Sequence, residues 1–317
     1  MDERRSNRVR ALWMAGIAMA ACLAMGPSAG RAEKITLKRL FTVDRFGGDL
    51  RFQTPVAAYV HPNRPEIYVC DAGAKRLITL SSDGKSLGWF SHRKKGRPAS
   101  SEPDGVAVGA DGTVFVADAS DSALSRYTYR GDPIGGAPMA GLKHGYSPGK
   151  MAYDAGGNLY VAVRNAGKVV VFSPTGEMKT EIGTAATDGM SACCDVAVDA
   201  DGNVYTLSPS GAAVHVFDKR GQLVRRFGYH EPGRAGFALP SGLDVDGKGR
   251  LWITDAVNQT LRVFRADGTF LAEFGGMGDL PGAFFTPVDV CVDRVRQTLY
   301  VVEKSGQRVQ AFAIEDS

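Results

Sequence analysis

Cysteine and histidine are scarce in this chain, five of each in 317 residues. Cys22 lies in the N-terminal segment, so Cys70, Cys193, Cys194 and Cys291 are left for a folded body. No Cys-x-x-Cys-His occurs, which excludes covalent haem attachment by that motif. A strong charge of one sign is missing too. The formal net charge is +4, and much of that excess sits in the first residues, so nothing in the bulk of the chain attracts a polyanion such as nucleic acid. What the chain has in abundance is glycine, 39 residues. That is too many for a helical bundle and natural for a fold with many tight turns.

The N-terminus reads as an export signal rather than as part of the fold. Arg4, Arg5, Arg8 and Arg10 precede an uncharged run from Ala11 to Met25, followed by the small-residue stretch GPSAGRAEK. A basic start, an apolar middle and small residues before the cut are the layout of a secretory signal. Cleavage is expected after Ala32, with Gly30 as the other site, leaving residues 33–317 as one domain in the periplasm or outside the cell. The run is short for a bilayer span, which takes about 20 apolar residues. An uncleaved anchor is the alternative. Export into an oxidising compartment makes cysteine pairing worth weighing.

Internal repetition dominates the rest. PDGVAVGADGTVFVAD from Pro103, PGKMAYDAGGNLYVAV from Pro148, CCDVAVDADGNVYTLS from Cys193 and PSGLDVDGKGRLWITD from Pro240 align without gaps. The segments from Pro55 and Pro287 align with one extra residue in the turn. The copies start at residues 55, 103, 148, 193, 240 and 287. Each reads as four short strands, with period-2 apolar alternation broken by Gly and Asp turns. Four antiparallel strands per unit, repeated radially six times, predict an all-β, six-bladed β-propeller. The sixth copy runs out after three strands, near Val288–Val292, Leu299–Val302 and Arg308–Ile314. Its missing strand is expected at Ile35–Val43, because LFTVDRFGGDLRFQTP before the first copy resembles LAEFGGMGDLPGAFFTP before the last. Pairing there would leave no open radial edge.

The pattern P-x-G-[VL]-x-V-D-x-x-G-x-[VL]-[YFW]-[VI]-x-D…[RK]-[VI]-x-x-[FY]-x-x-x-G resembles the NHL repeat from Lys34 to Ile314. That resemblance implies that each first strand lines a central channel. It also implies that the loop entering it and the turn between second and third strands share the binding face. Related propellers include sugar lactonases, strictosidine synthases, amidating lyases, kinase sensor domains and RNA-binding modules, so fold does not choose the function. The mouth position of each copy holds Val56, Asp104, Gly149, Cys194, Ser241 or Val288, and the next position Ala57, Gly105, Lys150, Asp195, Gly242 or Asp289. The polar candidates for binding are therefore Asp104, Lys150, Arg164, Asp195, Asp289 and Cys194.

Metal chemistry finds little support. The resemblance to Ca- or Zn-dependent lactonases rests on Pro103-Asp104-Gly105, where the family places a ligand. The other ligand columns hold Val56, Gly149, Cys194 and Ser241, and one carboxylate does not make the several converging oxygens a divalent cation needs. The amidating lyases place His at blade starts, and this chain has none there. His92, His144 and His230 are expected to be exposed loop residues. DADGN at Asp199–Asn203 imitates an EF-hand opening but is the first turn of the repeat. HRKKGRP at His92–Pro98 is expected to be a solvated loop. The acids ending second strands, Asp71, Asp118, Asp255 and Glu303, are expected to cap turns. Cys193 and Cys194 are either a strained vicinal disulfide or two thiols without function; Cys70 and Cys291, in neighbouring blades, could pair only if they converge. The expectation is an exported, non-catalytic monomer that binds a protein, peptide or glycan, without nucleic acid or cofactor. The alternative is a metal-dependent lactonase- or lyase-like enzyme.

Overall fold

The computed structural model describes residues 34–92, 102–118, 124–134, 142–143, 145–183, 189–228 and 236–316. The N-terminal segment, the basic run after His92, His144 and His230 thus lie outside the described residues. Lys34 onward forms one unit.

The alternating runs form strands where the repeat places them. Inner strands begin at Pro55, Pro103, Pro148, Pro240 and Pro287, and the fourth begins two residues into its copy, at Asp195. Blade 1 contains Pro55–Val60, Glu66–Asp71, Arg76–Ser81 and Ser86–Ser91; blade 3 contains Pro148–Tyr153, Leu159–Val163, Lys168–Phe172 and Met178–Ile182. Blade 4 contains Asp195–Val198, Val204–Ser208, Ala213–Phe217 and Leu223–Phe227; blade 5 contains Pro240–Val245, Leu251–Asp255, Thr260–Phe264 and Phe270–Gly275. Blade 2 shows three strands, Pro103–Val108, Val114–Asp118 and Leu124–Tyr127. An isolated Tyr127–Pro133 bridge follows its third strand, at the end of the described segment 124–134. Blade 6 combines Pro287–Asp293, Thr298–Glu303 and Arg308–Asp316 with Ile35–Val43, which pairs antiparallel with Arg308–Asp316 in the register Leu37 to Ile314. The expected closing strand is therefore the observed one. Among the described residues no helix is long and apolar enough to cross a membrane.

Period-2 alternation gives each blade two apolar faces, and stacking blades buries both. Six hydrophobic layers result, one at each blade junction. Tyr300, Val302 and Val309 meet Val69 and Ile78 between blades 6 and 1. Trp252 and Leu261 meet Leu299 and Val301 between blades 5 and 6. Tyr205 and Val214 meet Leu251 and Phe264 between blades 4 and 5. The remaining junctions are built alike. At about 25 cal/mol per Å² of apolar surface, these layers supply most of the drive to close the ring.

The same layers take up the cysteines. Cys70 faces the layer between blades 1 and 2, whereas Cys291 faces the layer between blades 6 and 1. Cys193 turns into the layer between blades 3 and 4, and Cys194 packs toward blade 5. All four are free thiols. The two members of each pair therefore face different layers, and neither pair converges.

Candidate functional site at the channel mouth

The third position of each repeat copy, one residue past the mouth position, forms one ring around the channel axis, and its composition determines what fills the channel. Three members, Ala57, Gly105 and Gly242, have little or no side chain, and the backbone is packed tightly at the glycines. A Cβ on Gly105 would lie 2.4 Å from the Gly149 carbonyl oxygen, and one on Gly242 would lie 2.5 Å from Asp289 Cα. The space left over is taken by the one long side chain of the ring. Lys150, from blade 3, reaches across to blades 4, 5 and 6. Its Nζ donates to Asp289 Oδ1 at 2.6 Å, to the Ser241 and Val288 carbonyls at 2.8 Å each, and to Asp195 Oδ2 at 3.2 Å. Burial works against the ammonium, but the two carboxylates outweigh it and hold its pKa above the ordinary lysine range.

Both carboxylates also serve the backbone. Asp195 accepts from its neighbour Val196 N at 2.7 Å and from Leu243 N of blade 5 at 2.8 Å. Asp289 accepts from Ala58 N of blade 1 at 2.7 Å. Burial pushes Asp195 up to about 7, with Lys150 pulling the other way and Asp289 adding to the rise. Asp289 is raised by burial as well, against the pull of Lys150.

The sequence reading missed a second polar level deeper in the channel. Asp244 of blade 5 accepts from Val292 N of blade 6 at 2.8 Å. Arg294 stands 3.5 Å from Asp244 Oδ1 and donates to the Val245 and Val198 carbonyls at 2.8 and 3.0 Å. A signal for Asp244 was present: its column otherwise holds Tyr59, Ala107, Ala152, Ala197 and Cys291, so a charge facing the axis stood out. Between the two levels is a cavity of about 50 Å³, lined by Lys150, Asp195, Asp244, Asp289, Tyr59 and Cys291 among others. That is room for one or two waters.

Above the Lys150–Asp195–Asp289 cluster, which plugs the channel, Asp104 and Arg164 form an ion pair at the rim, both partly exposed. The Arg164 stem lies over Gly149, where a Cβ would come within 3.0 Å of its Cγ. Cys194 is half-buried, with Sγ 4.0 Å from the Ser241 carbonyl, and burial pushes its thiol up to about 12. A thiol so placed is protonated at neutral pH and is a poor nucleophile. The structure thus brings Lys150, Asp195 and Asp289 into one cluster and leaves Asp104 with Arg164 as a separate pair on the rim.

The acids ending the second strands do more than cap their own turns, because they also tie down the loops that enter the mouth. Asp71 accepts from Gln53 N at 3.0 Å and Thr54 N at 2.7 Å, and Asp255 from Ala238 N at 2.8 Å and Leu239 N at 3.1 Å. Glu303 accepts from Phe285 N at 2.8 Å. At Asp118 the partner is His92 Nε2 at 3.1 Å, and His92 Nδ1 lies 3.0 Å from the Tyr127 hydroxyl. This corrects the expectation of an exposed loop histidine. His92 is fully buried, because both ring nitrogens have partners in blade 2. Beside the rim, Leu239, Val257, Met277 and Leu280 are exposed apolar residues. The bonds from Ala256 N to Leu239 O and from Gly276 N to Gln259 O bring their segments side by side. No group of three or more His, Cys, Asp or Glu among the described residues is placed to hold a metal ion.

Comparison with known proteins gives the fold a wider setting. A family model described as a 6-bladed beta-propeller matches residues 240–317, which are blades 5 and 6. No curated protein matches the sequence. Among solved structures, virginiamycin B lyase from Staphylococcus aureus superposes with a TM-score of 0.60 at 12% identity, over 89% of this chain and 99% of that one. A gluconolactonase from Xanthomonas campestris gives 0.62 at 18% identity, over 91% and 97%. A Bacteroides thetaiotaomicron protein of unknown function gives 0.64 at 17%, over 89% and 76%. Likeness at these identities establishes a shared fold and carries no activity across.

Proposed function

We propose that this chain is an exported, non-catalytic NHL-type propeller that presents its channel-mouth face to a protein, peptide or glycan. One observation carries the reading: the charged groups at the centre of the mouth are already satisfied by one another. Lys150 spends its protons on four protein oxygens, and the space beneath it is about 50 Å³, far below the several hundred Å³ of a small-molecule site. Among the described residues, the mouth turns outward the Asp104–Arg164 pair and the apolar residues Leu239, Val257, Met277 and Leu280. A broad rim on loops tied to a rigid scaffold suits a macromolecular surface better than a substrate sunk in a pocket.

The second reading, a metal-dependent lactonase- or lyase-like enzyme centred on Asp104, draws on fold likeness alone. In that role Asp104 would have to leave Arg164 and find further oxygen ligands. A pull-down from the exported fraction distinguishes the two. The wild type should capture a stoichiometric partner, and the Asp104→Ala/Arg164→Ala variant should lose at least tenfold of it with its melting temperature nearly unchanged, since an exposed ion pair adds little stability. Undiminished capture by the variant, or a stoichiometric Ca²⁺ or Zn²⁺ on the purified wild type, would overturn the proposal.

A further inference from the structure

The channel plug is built like a cation site. Four oxygens surround one point: Asp289 Oδ1 at 2.6 Å, the Ser241 and Val288 carbonyls at 2.8 Å, and Asp195 Oδ2 at 3.2 Å. Two of them are carboxylate oxygens and two are backbone carbonyls, the mixture that hard divalent cations take. The four come from blades 4, 5 and 6, and the group at their centre comes from blade 3. An ammonium has three protons for these four acceptors, so its bonds are shared rather than one to one. The Asp289 and two carbonyl distances are as short as charge-assisted N–H···O bonds, and the Asp195 contact is longer.

We infer that Lys150 is a built-in cation: its ammonium permanently occupies an oxygen cage that would otherwise take a divalent metal ion, and it ties four blades across the channel as a bound ion would. The wild-type chain therefore needs no metal at this position and leaves no room for one. Removing the side chain beyond Cβ would leave two buried carboxylates and two carbonyls without their partner. It would also join the vacated volume to the cavity of about 50 Å³, so that water could complete a shell of six or more oxygens. The inference concerns the plug alone and stands whether or not the mouth face binds a partner.

Thermal melting in EDTA and in millimolar CaCl₂ tests it. Wild type should melt at the same temperature in both. Lys150→Ala should melt lower than wild type in EDTA and rise by at least about 3 °C in Ca²⁺, because an ion that binds only the folded state stabilises it by mass action. Lys150→Ala/Asp289→Asn, with half the cage charge removed, should show no such rise. A Lys150→Ala protein indifferent to Ca²⁺, an equal rise in the double variant, or a wild type destabilised by EDTA would overturn the inference. If Lys150→Ala does not fold in either buffer, the wild type decides. With ¹⁵N-lysine, one ammonium signal should persist at a pH where the exposed lysines have exchanged away, and its absence would overturn the inference.

Discussion

Asp195 shares a dry space with one ammonium and another carboxylate. With all three groups ionised, the cluster with Lys150 and Asp289 would carry a net negative charge out of water, which is costly. The cheaper state keeps a proton on the carboxylate pair, and Asp195 accordingly rises to about 7, chiefly through burial. The unfolded chain releases that proton near pH 4. Between those two values the native state holds more protons than the unfolded state, so this group's contribution to stability falls as pH rises from about 4 to about 7 and is level above. Chemical denaturation across that window should show the decline in wild type and its loss in Asp195→Asn. An unchanged slope in the variant would place the proton elsewhere. That Lys150, Asp195 and Asp289 share a ring was legible from the repeat, because equivalent positions of successive copies become neighbours around the axis. That Lys150 crosses the channel was not legible, since it depends on the volume left by Ala57, Gly105 and Gly242. The burial of His92 escaped for a similar reason: its partners, Asp118 and Tyr127, belong to the next blade.

Among the elements, Ile35–Val43 has the most consequence. It pairs along nearly its whole length with Arg308–Asp316, with one irregularity between Arg39 and Phe41. Ile35 and Val43 are buried in two different inter-blade layers. Deleting residues 34–43 would expose the backbone edge of Arg308–Asp316 and leave those layers short. The shortened protein should lose its single cooperative melting transition in calorimetry and self-associate in size-exclusion chromatography, as unpaired edges do. A monomer with unchanged melting would contradict the closure. A smaller test concerns the junction of blades 2 and 3, where the inner strands touch at Gly105. Gly105→Ala forces a Cβ against the Gly149 carbonyl and should cost about 1–3 kcal/mol, as overpacking does. The strand starts were legible because proline opens five of the six inner strands. The fourth start was displaced because Cys193 has no such constraint and turns into the layer beside Met190 before pairing begins.

From Lys34 onward the molecule is a closed wheel with a filled hub. Six apolar layers hold the blades together, and at the hub carboxylates bond the next blade's inner strand from blade 4 to 5, 5 to 6 and 6 to 1. Lys150 adds blade 3 to that series. The hub being filled, the proposed recognition falls to the two faces, and among the described residues they differ: the mouth carries Asp104, Arg164 and the apolar Leu239, Val257, Met277 and Leu280, while the opposite face carries the exposed Val295 in the turn between first and second strands of blade 6 and Tyr129 past the third strand of blade 2. Wheel and polar ring could be read from the repeat. What the proposed mouth surface meets could not, because one sequence's loop residues state their chemistry without saying what they meet. The most direct measurement places a photo-crosslinking amino acid at position 164 or at position 295 and irradiates the protein in its native compartment. The account predicts a discrete adduct from position 164 and none from position 295; an adduct from 295 alone, or none from 164, would contradict recognition at the mouth.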